Sequence, residues 1–451
     1  MTAGVRSHWL MKALLALALL ALPLLVTDES IWMDEAQTWD YLSQPSLAAL
    51  VDEISVETGS EAQMPLYLAS TWLWCKLFGT SEYAMRSVNM VWGALALVSL
   101  YLLSRRLGSP WPLLVFALHP FFWLYLDEAR PYAFLMGWGA LLLLGVQLFH
   151  ERRGGGMAWA LLVSMASLIA CYGYMLAAVP VAMTGVWIGG LIMTRPWMPK
   201  PAAWAIVGAA ILLLIPAGVY YAWTLMQGAG GMKLWQPGPL NLAFVGYEFS
   251  GAFGLGPSRQ FLREFAISWD WSSLGGRMGS ILAVVIFSLI GLAFLILVIA
   301  RRAWRSQPPL FLFAVFLGVS SILCLFALAM MVGFPVWGRH FGFVFPSVTL
   351  VSASLLDAGW RAGPLARVLC IALVASLLLA AVEVRLSPRH AKDDDRAAAG
   401  VADAAAAGGQ RVWWAANPST ARYYGVDFAG APRSARPGAV LFMANAAPES
   451  T

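Results

Sequence analysis

Apolar runs long enough to cross a bilayer recur along the chain as far as residue 384. A hydrocarbon core about 30 Å thick needs roughly 20 apolar residues per helix, so the spans can be counted from the sequence. The pattern predicts an all-α polytopic membrane protein with about eleven transmembrane helices. They are predicted at 9–26, 87–104, 111–126, 131–149, 157–173, 174–193, 202–221, 277–299, 308–332, 341–358 and 364–384.

One further apolar segment, MPLYLASTWLWCKLFG at 64–79, is shorter than a comfortable span and contains Lys76. If it crossed the membrane, every later loop would change sides. We interpret it as a juxtamembrane or partly inserted helix that begins at Pro65, because proline is tolerated in the first turn of a helix.

Three hydrophilic stretches divide the chain into a transmembrane module, 1–384, and a small C-terminal region, 385–451. The first stretch, 28–86, alternates apolar and polar residues near the helical period and predicts short helices separated by Pro45. The second, 222–276, is rich in glycine and proline and predicts a loop that can move over a site. In the C-terminal region, a charged run precedes an alanine-rich helix and a short strand, RVWWAA.

The charges are distributed unequally between alternate loops. Basic residues cluster in the short loops on one side, which are the cytoplasmic loops by the positive-inside rule. These residues are Arg6, Lys12, Arg105, Arg106, Arg152, Arg153, Arg195, Lys200, Arg301, Arg302, Arg305, Arg361 and Arg367. Ten acids lie between the first two spans. The prediction is an inner-membrane protein with a cytoplasmic N-terminus and an extracytoplasmic C-terminus.

The first span can also be interpreted as a cleaved signal peptide, since it has a basic start and an apolar run. The sequence ALPLLVTDES lacks a small-x-small cleavage site, which favours a retained helix. Composition agrees with a membrane protein, since 60% of residues are hydrophobic and 12% are charged. The net charge of +5 belongs to the cytoplasmic loops and gives no reason to expect a nucleic-acid partner.

The first candidate site is the carboxylate pair Asp34 and Glu35, flanked by Trp32 and Trp39. The tryptophans place the pair near the membrane interface. A carboxylate that is partly desolvated there can act as a general base toward a hydroxyl or an amine. The alternative is a solvated loop with an acid at a helix start.

The second candidate is LYLDEARPYAF, where Asp127, Glu128, Arg130 and Tyr132 stand between two spans with almost no loop. Polar groups so close to hydrocarbon must be paired or must face an aqueous cavity. The alternative is an internal ion pair of Asp127 or Glu128 with Arg130.

The third candidate is GFPVWGRHFGFVFP, which brings Arg339 and His340 to the outer end of a span. A guanidinium among aromatic rings suits a phosphate or carboxylate group of a lipid, and the alternative is a snorkelling interfacial anchor. Further external cations are Arg86, Lys233, Arg259 and Arg263.

The chain contains no Walker motif, no GxSxG elbow and no HExxH pair. Chemistry that draws on cytosolic nucleotides is therefore disfavoured, and a membrane-held activated substrate is favoured.

These motifs, in this order, resemble the membrane glycosyltransferases of the GT-C fold, near the protein O-mannosyltransferases and the aminoarabinose lipid A transferases. The acidic pair follows the first helix, and the passage 64–108 looks like the family's Pro-Leu, Phe-Gly-x-Ser-Glu turn and helix-opening Arg. LHPFFWLYLDEARPYAF resembles the second acidic motif, and GRHFGFVFP resembles the late Arg-aromatic-Pro motif. Where the family often has Tyr-x-His-Tyr, this sequence has Tyr172, Gly173 and Tyr174. The C-terminal region matches only loosely.

The resemblance implies transfer of a sugar, with inversion, from a polyprenyl-phosphate carrier to a lipid, glycan or protein acceptor at the outer face. It implies Asp34 as the general base, with Glu35 orienting the acceptor or assisting. Asp127 or Glu128 would shape the same cavity. The candidates for contact with the phosphate or donor are Arg130, Tyr132, Arg339, His340 and Arg86. No cofactor is required by this chemistry, and a divalent metal near the acids is possible but not indicated.

Two other classes of protein explain the same pattern of helices. A lipid or polysaccharide transporter fits the number of spans, although alternating access usually needs polar residues near the midplane. A non-catalytic subunit of cell-envelope assembly fits if the acidic pair can be neutralised without consequence.

Overall fold

The computed structural model describes residues 3–56, 59–151, 156–194, 200–228, 239–258, 261–262, 271–301, 308–333, 336–410, 412–414, 417–426, 429–430 and 440–442. These residues form eighteen α-helices and three short strands. The helices are α1 (Ala3–Leu25), α2 (Met33–Leu42), α3 (Leu47–Val56), α4 (Pro65–Phe78), α5 (Glu82–Leu107), α6 (Trp111–Leu118), α7 (Pro120–Leu126), α8 (Tyr132–His150), α9 (Gly156–Gly173), α10 (Ala178–Thr194), α11 (Lys200–Gly228), α12 (Pro239–Phe249), α13 (Met278–Ala300), α14 (Pro309–Val332), α15 (Phe345–Arg361), α16 (Pro364–Leu386), α17 (Asp395–Ala407) and α18 (Pro418–Tyr423). The strands are β1 (Val412–Trp414), β2 (Ala429–Gly430) and β3 (Val440–Phe442).

Seven helical segments among the described residues are long and apolar enough to cross a membrane, so the chain is a multi-pass membrane protein. They coincide with seven of the predicted spans, and two others correspond to the shorter apolar helices Trp9–Leu25 and Ala158–Gly173. The seven segments are Glu82–Leu107, Tyr132–His150, Met175–Thr194, Trp204–Met226, Gly275–Ala300, Pro309–Met331 and Pro364–Leu386. The total of eleven transmembrane helices stays a prediction.

The predicted span 111–126 is wrong as a single helix, because the chain breaks at His119 into α6 and α7. His119 has an extended backbone, with φ −78° and ψ 128°, as the residue before a proline prefers. Pro120 then opens α7 at a position where a missing N–H costs nothing. The His119 ring replaces one lost backbone contact, since its Nδ1 accepts from the Phe121 N–H at 3.1 Å.

A second departure from the predicted spans lies at the start of the span 341–358. The predicted span 341–358 begins late, since Gly338–Phe341 forms a 3₁₀ turn and α15 starts only at Phe345. Arg339 and His340 therefore lie in a tight turn before the helix. The turn rests on α8, where a side chain at Gly139 would collide with the carbonyl oxygen of Phe343.

The first hydrophilic stretch folds as predicted into short helices, α2 and α3, which flank Pro45. The segment 64–79 forms α4, which begins at Pro65 and ends at Gly79 with a positive φ of 88°. The prediction of a loop at 222–276 is wrong in part, because α11 runs on to Gly228 and α12 occupies 239–249. The glycine-rich stretch 229–238, which suggested a loop, lies outside the described residues.

The C-terminal region forms a small cap beside α2. Its alanine-rich helix is α17, and its three strands form a parallel sheet in the order β2-β1-β3. Trp413 in the central strand pairs with Ala429 on one side and with Leu441 on the other. Trp414 and Val412 pack with Ala399 and Ala402 of α17, so the helix covers the sheet.

Candidate active site

The adjacent acids of α2 lie in different surroundings. The side chains of consecutive residues in a helix point about 100° apart, so one residue of the pair can be buried while the other stays accessible. Glu35 is 0% exposed, whereas the side chain of Asp34 keeps 16% of its surface accessible. The sequence motif thus contains one interior carboxylate and one accessible carboxylate.

Glu35 forms a buried ion pair with Arg86 of α5. Both carboxylate oxygens bind the guanidinium, at 2.7 Å from Nε and 2.6 Å from Nη2. Lys392 of the cap adds a contact at 3.2 Å, and the backbone N–H of Ala129 donates to Oε1 at 2.8 Å. Burial raises the pKa of Glu35, but the charges of Arg86 and Lys392 outweigh it and lower that pKa from 4.5 to about 2.

Arg86 also fixes the extended segment before α2. Its Nη1 donates to the carbonyl oxygen of Glu29 at 2.7 Å, and its Nη2 donates to that of Ser30 at 3.1 Å. Arg86 is 0% exposed, so it acts inside the protein. The expectation that Arg86 contacts a phosphate is wrong in this structure, because its guanidinium is enclosed by Glu35 and the backbone.

The side chain of Asp34 binds Arg339, which belongs to the third candidate motif. Arg339 Nη1 donates to Asp34 Oδ2 at 3.1 Å across 305 positions of sequence. The guanidinium lies 5.5 Å from the ring centroid of Trp32 and 5.9 Å from that of Tyr132, within the range of cation–π attraction. The first, second and third candidate motifs therefore meet at Arg339.

In the second candidate motif, Asp127 and Arg130 each form ion pairs with residues outside the motif. Asp127 accepts from the N–H and hydroxyl of Thr27 at 2.6 and 2.8 Å and binds Arg385 at 2.9 Å. Arg130 instead binds Glu61 at 2.6 Å and donates to the Thr38 hydroxyl at 3.0 Å. The alternative of an ion pair between Arg130 and its neighbouring acids is therefore wrong.

A polar cavity of about 140 Å³ opens beside these residues. Asp127 and Glu128 are among its lining residues, whereas Asp34 and Glu35 are not, so one cavity shared by both acidic motifs stays a prediction. The lining also includes four cations, Arg339, Arg385, Arg389 and Lys392, and two further acids, Glu29 and Asp393. Arg130 and Arg86 are not among the lining residues, since they lie behind the carboxylates that they hold.

Two of the lining arginines present N–H groups that nothing in the described part of the chain accepts. These donors are Nε of Arg339 together with Nε and Nη2 of Arg385, and all three are buried. A buried donor left without an acceptor costs about 1–3 kcal/mol, and more when the group is charged. Guanidinium donors gathered around one small cavity suit an anion with several oxygen atoms, such as a phosphate.

The remaining predicted site residues lie near Arg339 without facing the cavity. Tyr132 is 2% exposed, and its ring stands 5.0 Å from that of Tyr125. His340 Nδ1 accepts from the backbone N–H of Trp337 at 3.2 Å, which shapes its own turn. Lys233, Arg259 and Arg263 lie outside the described residues.

Five residues of the site were missed by sequence reasoning. Arg385, Arg389 and Lys392 follow the last span at intervals of four and three residues, and this regular spacing of cations was the available signal. Glu61 and Glu248 gave no local signal. Glu248, which is 1% exposed on α12, accepts from the Tyr125 hydroxyl at 3.0 Å and lies against Gly338.

Within the described residues, no group of three or more His, Cys, Asp or Glu side chains is placed to hold a metal ion. Whether a divalent metal binds near the acids stays a prediction from the sequence.

Comparison with known proteins identifies the fold. No protein-family model matches the chain, and no curated protein matches it in sequence. The structure is similar to ArnT from Cupriavidus metallidurans in the apo state, with a TM-score of 0.54, 13% identity, and coverage of 93% of this chain and 85% of that chain.

The same enzyme bound to undecaprenyl phosphate gives a TM-score of 0.51 and 13% identity, over 95% of this chain and 86% of that chain. An oligosaccharyltransferase from Archaeoglobus fulgidus gives a TM-score of 0.43 at 14% identity, over 93% of this chain and 58% of that chain. The likeness to ArnT shows that the chain has the GT-C fold of membrane glycosyltransferases.

Proposed function

We propose that the protein is a membrane glycosyltransferase that moves a hexose or pentose from a polyprenyl-phosphate donor to an acceptor hydroxyl at the extracytoplasmic face. The observation that carries the proposal is a cavity lined by Arg339, Arg385, Arg389 and Lys392, in which two of the arginines also have buried N–H groups without an acceptor. The donor class is supported by ArnT, which has the same fold and has been solved with undecaprenyl phosphate.

The cations account for departure of the carrier. The phosphate of a polyprenyl-phosphate sugar leaves as an anion, so it needs electrostatic stabilisation rather than a strong general acid. Arg339, Arg385, Arg389 and Lys392 line one cavity and can supply that stabilisation. They also supply charge where a divalent metal would otherwise be needed, and we propose that transfer proceeds without one.

Asp34 is placed to activate the acceptor. Its carboxylate is accessible, and Arg339 fixes its position relative to the cavity. In the proposed step, Asp34 takes the proton from the acceptor hydroxyl while that oxygen forms a bond to the anomeric carbon. The bond from that carbon to the phosphate oxygen breaks, and its electron pair stays on the phosphate. Attack opposite to the leaving group inverts the anomeric centre.

Glu35 takes a different part from the one that the sequence suggested. It is fully buried and is held by Arg86 and Lys392, so it has no accessible surface with which to orient an acceptor. We propose that Glu35 is a positioning residue, which locks α2 onto α5 and thereby sets the direction of Asp34.

The test is transfer from a labelled polyprenyl-phosphate sugar pool by purified protein reconstituted with a membrane extract as acceptor source. Asp34→Asn should lower transfer roughly 10²- to 10⁴-fold, because it removes a general base. The variant should still fold, with a melting temperature lowered only slightly, since it loses one ion pair with Arg339 whose two side chains are both partly accessible.

Asp52→Asn is the matched control, because Asp52 is an exposed acid on the neighbouring helix α3. It should transfer sugar as the wild type does. Normal turnover by folded Asp34→Asn protein would remove Asp34 from the mechanism. If folded wild-type protein leaves the donor unused while a control enzyme consumes it, the proposal of a glycosyltransferase is wrong.

A further inference from the structure

A second cavity, of about 830 Å³, lies along α2. Its walls come from α2, α3, residues 59–61 and helix α18 of the C-terminal cap. We call it the α2 groove. The residues that matter here are Gln37, Asp40, Tyr41, Gln44, Glu53 and Glu61, with Arg422 from the cap.

The α2 groove leads toward Asp34 along one face of the helix. Gln37 and Tyr41 follow Asp34 by three and seven residues, a spacing that places side chains one above another on a helix. Gln44 continues the same stripe. Asp34 is not among the residues that line the groove, but it lies one turn before Gln37 in α2.

A hydrogen-bonded link joins the groove to the base. Arg130 Nη1 donates to the Glu61 carboxylate at 2.6 Å and to the backbone carbonyl of Asp34 at 3.2 Å. Glu61 lines the groove. Nη1 of Arg130 therefore binds both the wall of the groove and the first turn of α2. Arg130, which is 4% exposed, thus couples the wall of the groove to the backbone at Asp34.

The chemistry of the groove differs from that of the cation-lined cavity. Three carboxylates, from Asp40, Glu53 and Glu61, line it with a single guanidinium, that of Arg422. That guanidinium is already bound to Asp40 at 2.6 Å. An anionic ligand would be repelled here, whereas a ligand with many hydroxyl groups can bind the carboxylates and the amides of Gln37 and Gln44.

The aromatic residues narrow the class of ligand. Trp39 and Tyr41 line the same groove, and the half-buried ring of Trp39 offers apolar surface beside the polar groups. Amides and carboxylates combined with aromatic faces match a sugar ring, which has polar edges and apolar C–H faces. A phosphorylated headgroup matches the α2 groove poorly, because the acids would oppose its charge.

We infer that the α2 groove binds the acceptor, and that the acceptor is an uncharged or cationic saccharide whose hydroxyl reaches Asp34. This inference rests on the proposed function, since it names the second substrate of that reaction. The saccharide can belong to a glycolipid headgroup or to a water-soluble glycan, which share the same sugar chemistry.

The experiment uses the reconstituted full-length protein with labelled donor and measures transfer against increasing amounts of membrane extract. Gln37→Ala removes one amide, and Glu53→Lys places a cation in the groove. Each should raise the apparent KM for acceptor roughly five- to ten-fold, the cost of about one hydrogen bond, while kcat and the KM for donor stay unchanged.

Asp52→Lys is the matched control, because it makes the same change of charge on α3 but at a residue that does not line the groove. Wild-type kinetics for Gln37→Ala and Glu53→Lys, in protein that transfers sugar, would overturn the inference and leave the proposed function intact. Absence of transfer by folded wild-type protein would instead contradict the proposed function.

The labelled product distinguishes the class of acceptor. A label that resists protease and is released by a glycosidase supports a saccharide, and its partition into butanol or water tells a glycolipid from a soluble glycan. A label that is lost to protease digestion identifies a protein acceptor and overturns the inference.

Discussion

At the scale of single residues, the two acids of the carboxylate pair, Asp34 and Glu35, differ in their burial and in their partners. The sequence predicted that Asp34 and Glu35 belong to one site. In the structure Asp34 binds Arg339, which lines the cation-lined cavity, whereas Glu35 binds Arg86 in the interior. The sequence did not predict that Glu35 would be fully enclosed, because burial depends on Arg86 and Lys392, which lie 51 and 357 positions away. Chemical partners so distant leave no periodic signal in a single sequence.

Replacing Glu35 by Gln should destabilise the protein by about 3–5 kcal/mol, because it leaves the buried guanidinium of Arg86 without a counter-charge. The folded-state pKa of about 2 lies below the ordinary value of 4.5, so the ion pair stabilises the protein above pH 4.5. That contribution is lost as the pH falls from 4.5 to 2.

Melting temperature measured in detergent across this range of pH checks the prediction. Wild-type protein and Asp52→Asn should both lose stability below pH 4.5, whereas Glu35→Gln should start lower and lose less. A variant that melts at the wild-type temperature at pH 7 would show that the Arg86 pair contributes nothing.

At the scale of helices, the positions of breaks and close contacts determine the site. Pro120 and Pro65 gave reliable signals for helix starts, since proline has a defined place in the first turn. The late start of α15 had no such signal, because the apolar run continues through Phe341 and Phe343. The turn forms there because Gly139 of α8 lets the Phe343 carbonyl approach the helix closely.

Gly139→Ala should therefore displace the turn that carries Arg339. The new methyl group collides with backbone atoms of Phe343, which cannot swing away as a side chain can. Because Arg339 orients Asp34, a shift of about 1 Å should lower transfer roughly 10- to 100-fold and lower the melting temperature.

Gly190→Ala in α10 is the control for the same chemical change, since no atom lies within 4 Å of the added methyl group. It should leave transfer unchanged and raise helix stability by about 0.5–1 kcal/mol. Equal activity of the two variants would mean that the contact between α8 and the Arg339 turn does not position the site.

At the scale of the whole molecule, the apolar pattern predicted the class of protein and most of its long helices. The three candidate motifs were also recognised, although their mutual contacts were not. The role of the C-terminal region was missed, because a short tail of mixed composition gave no sign that it docks on α2. In the structure, Arg422 binds Asp40 at 2.6 Å, and the Tyr424 hydroxyl accepts from the Ile31 N–H at 3.1 Å.

The predicted orientation places α2, α3 and the cap outside the cytoplasm. A cysteine at Asp52 should then react with a membrane-impermeant maleimide in intact spheroplasts, and a cysteine at Arg105 should react only after permeabilisation. Both positions are exposed. Wild-type protein gives the background labelling of the native cysteines. The opposite pattern of labelling would reverse the topology.

The cap also makes the order of biosynthesis matter. Arg385 and Lys392 complete a cavity whose acids were translated much earlier, since Arg385 follows Asp127 by 258 positions. A nascent chain that stalls before residue 385 carries Asp34 and the second acidic motif into the membrane but lacks three of the four cations that line the cavity. Under the proposed function, truncated translation products should transfer no sugar, and unfinished copies should consume no lipid-linked donor.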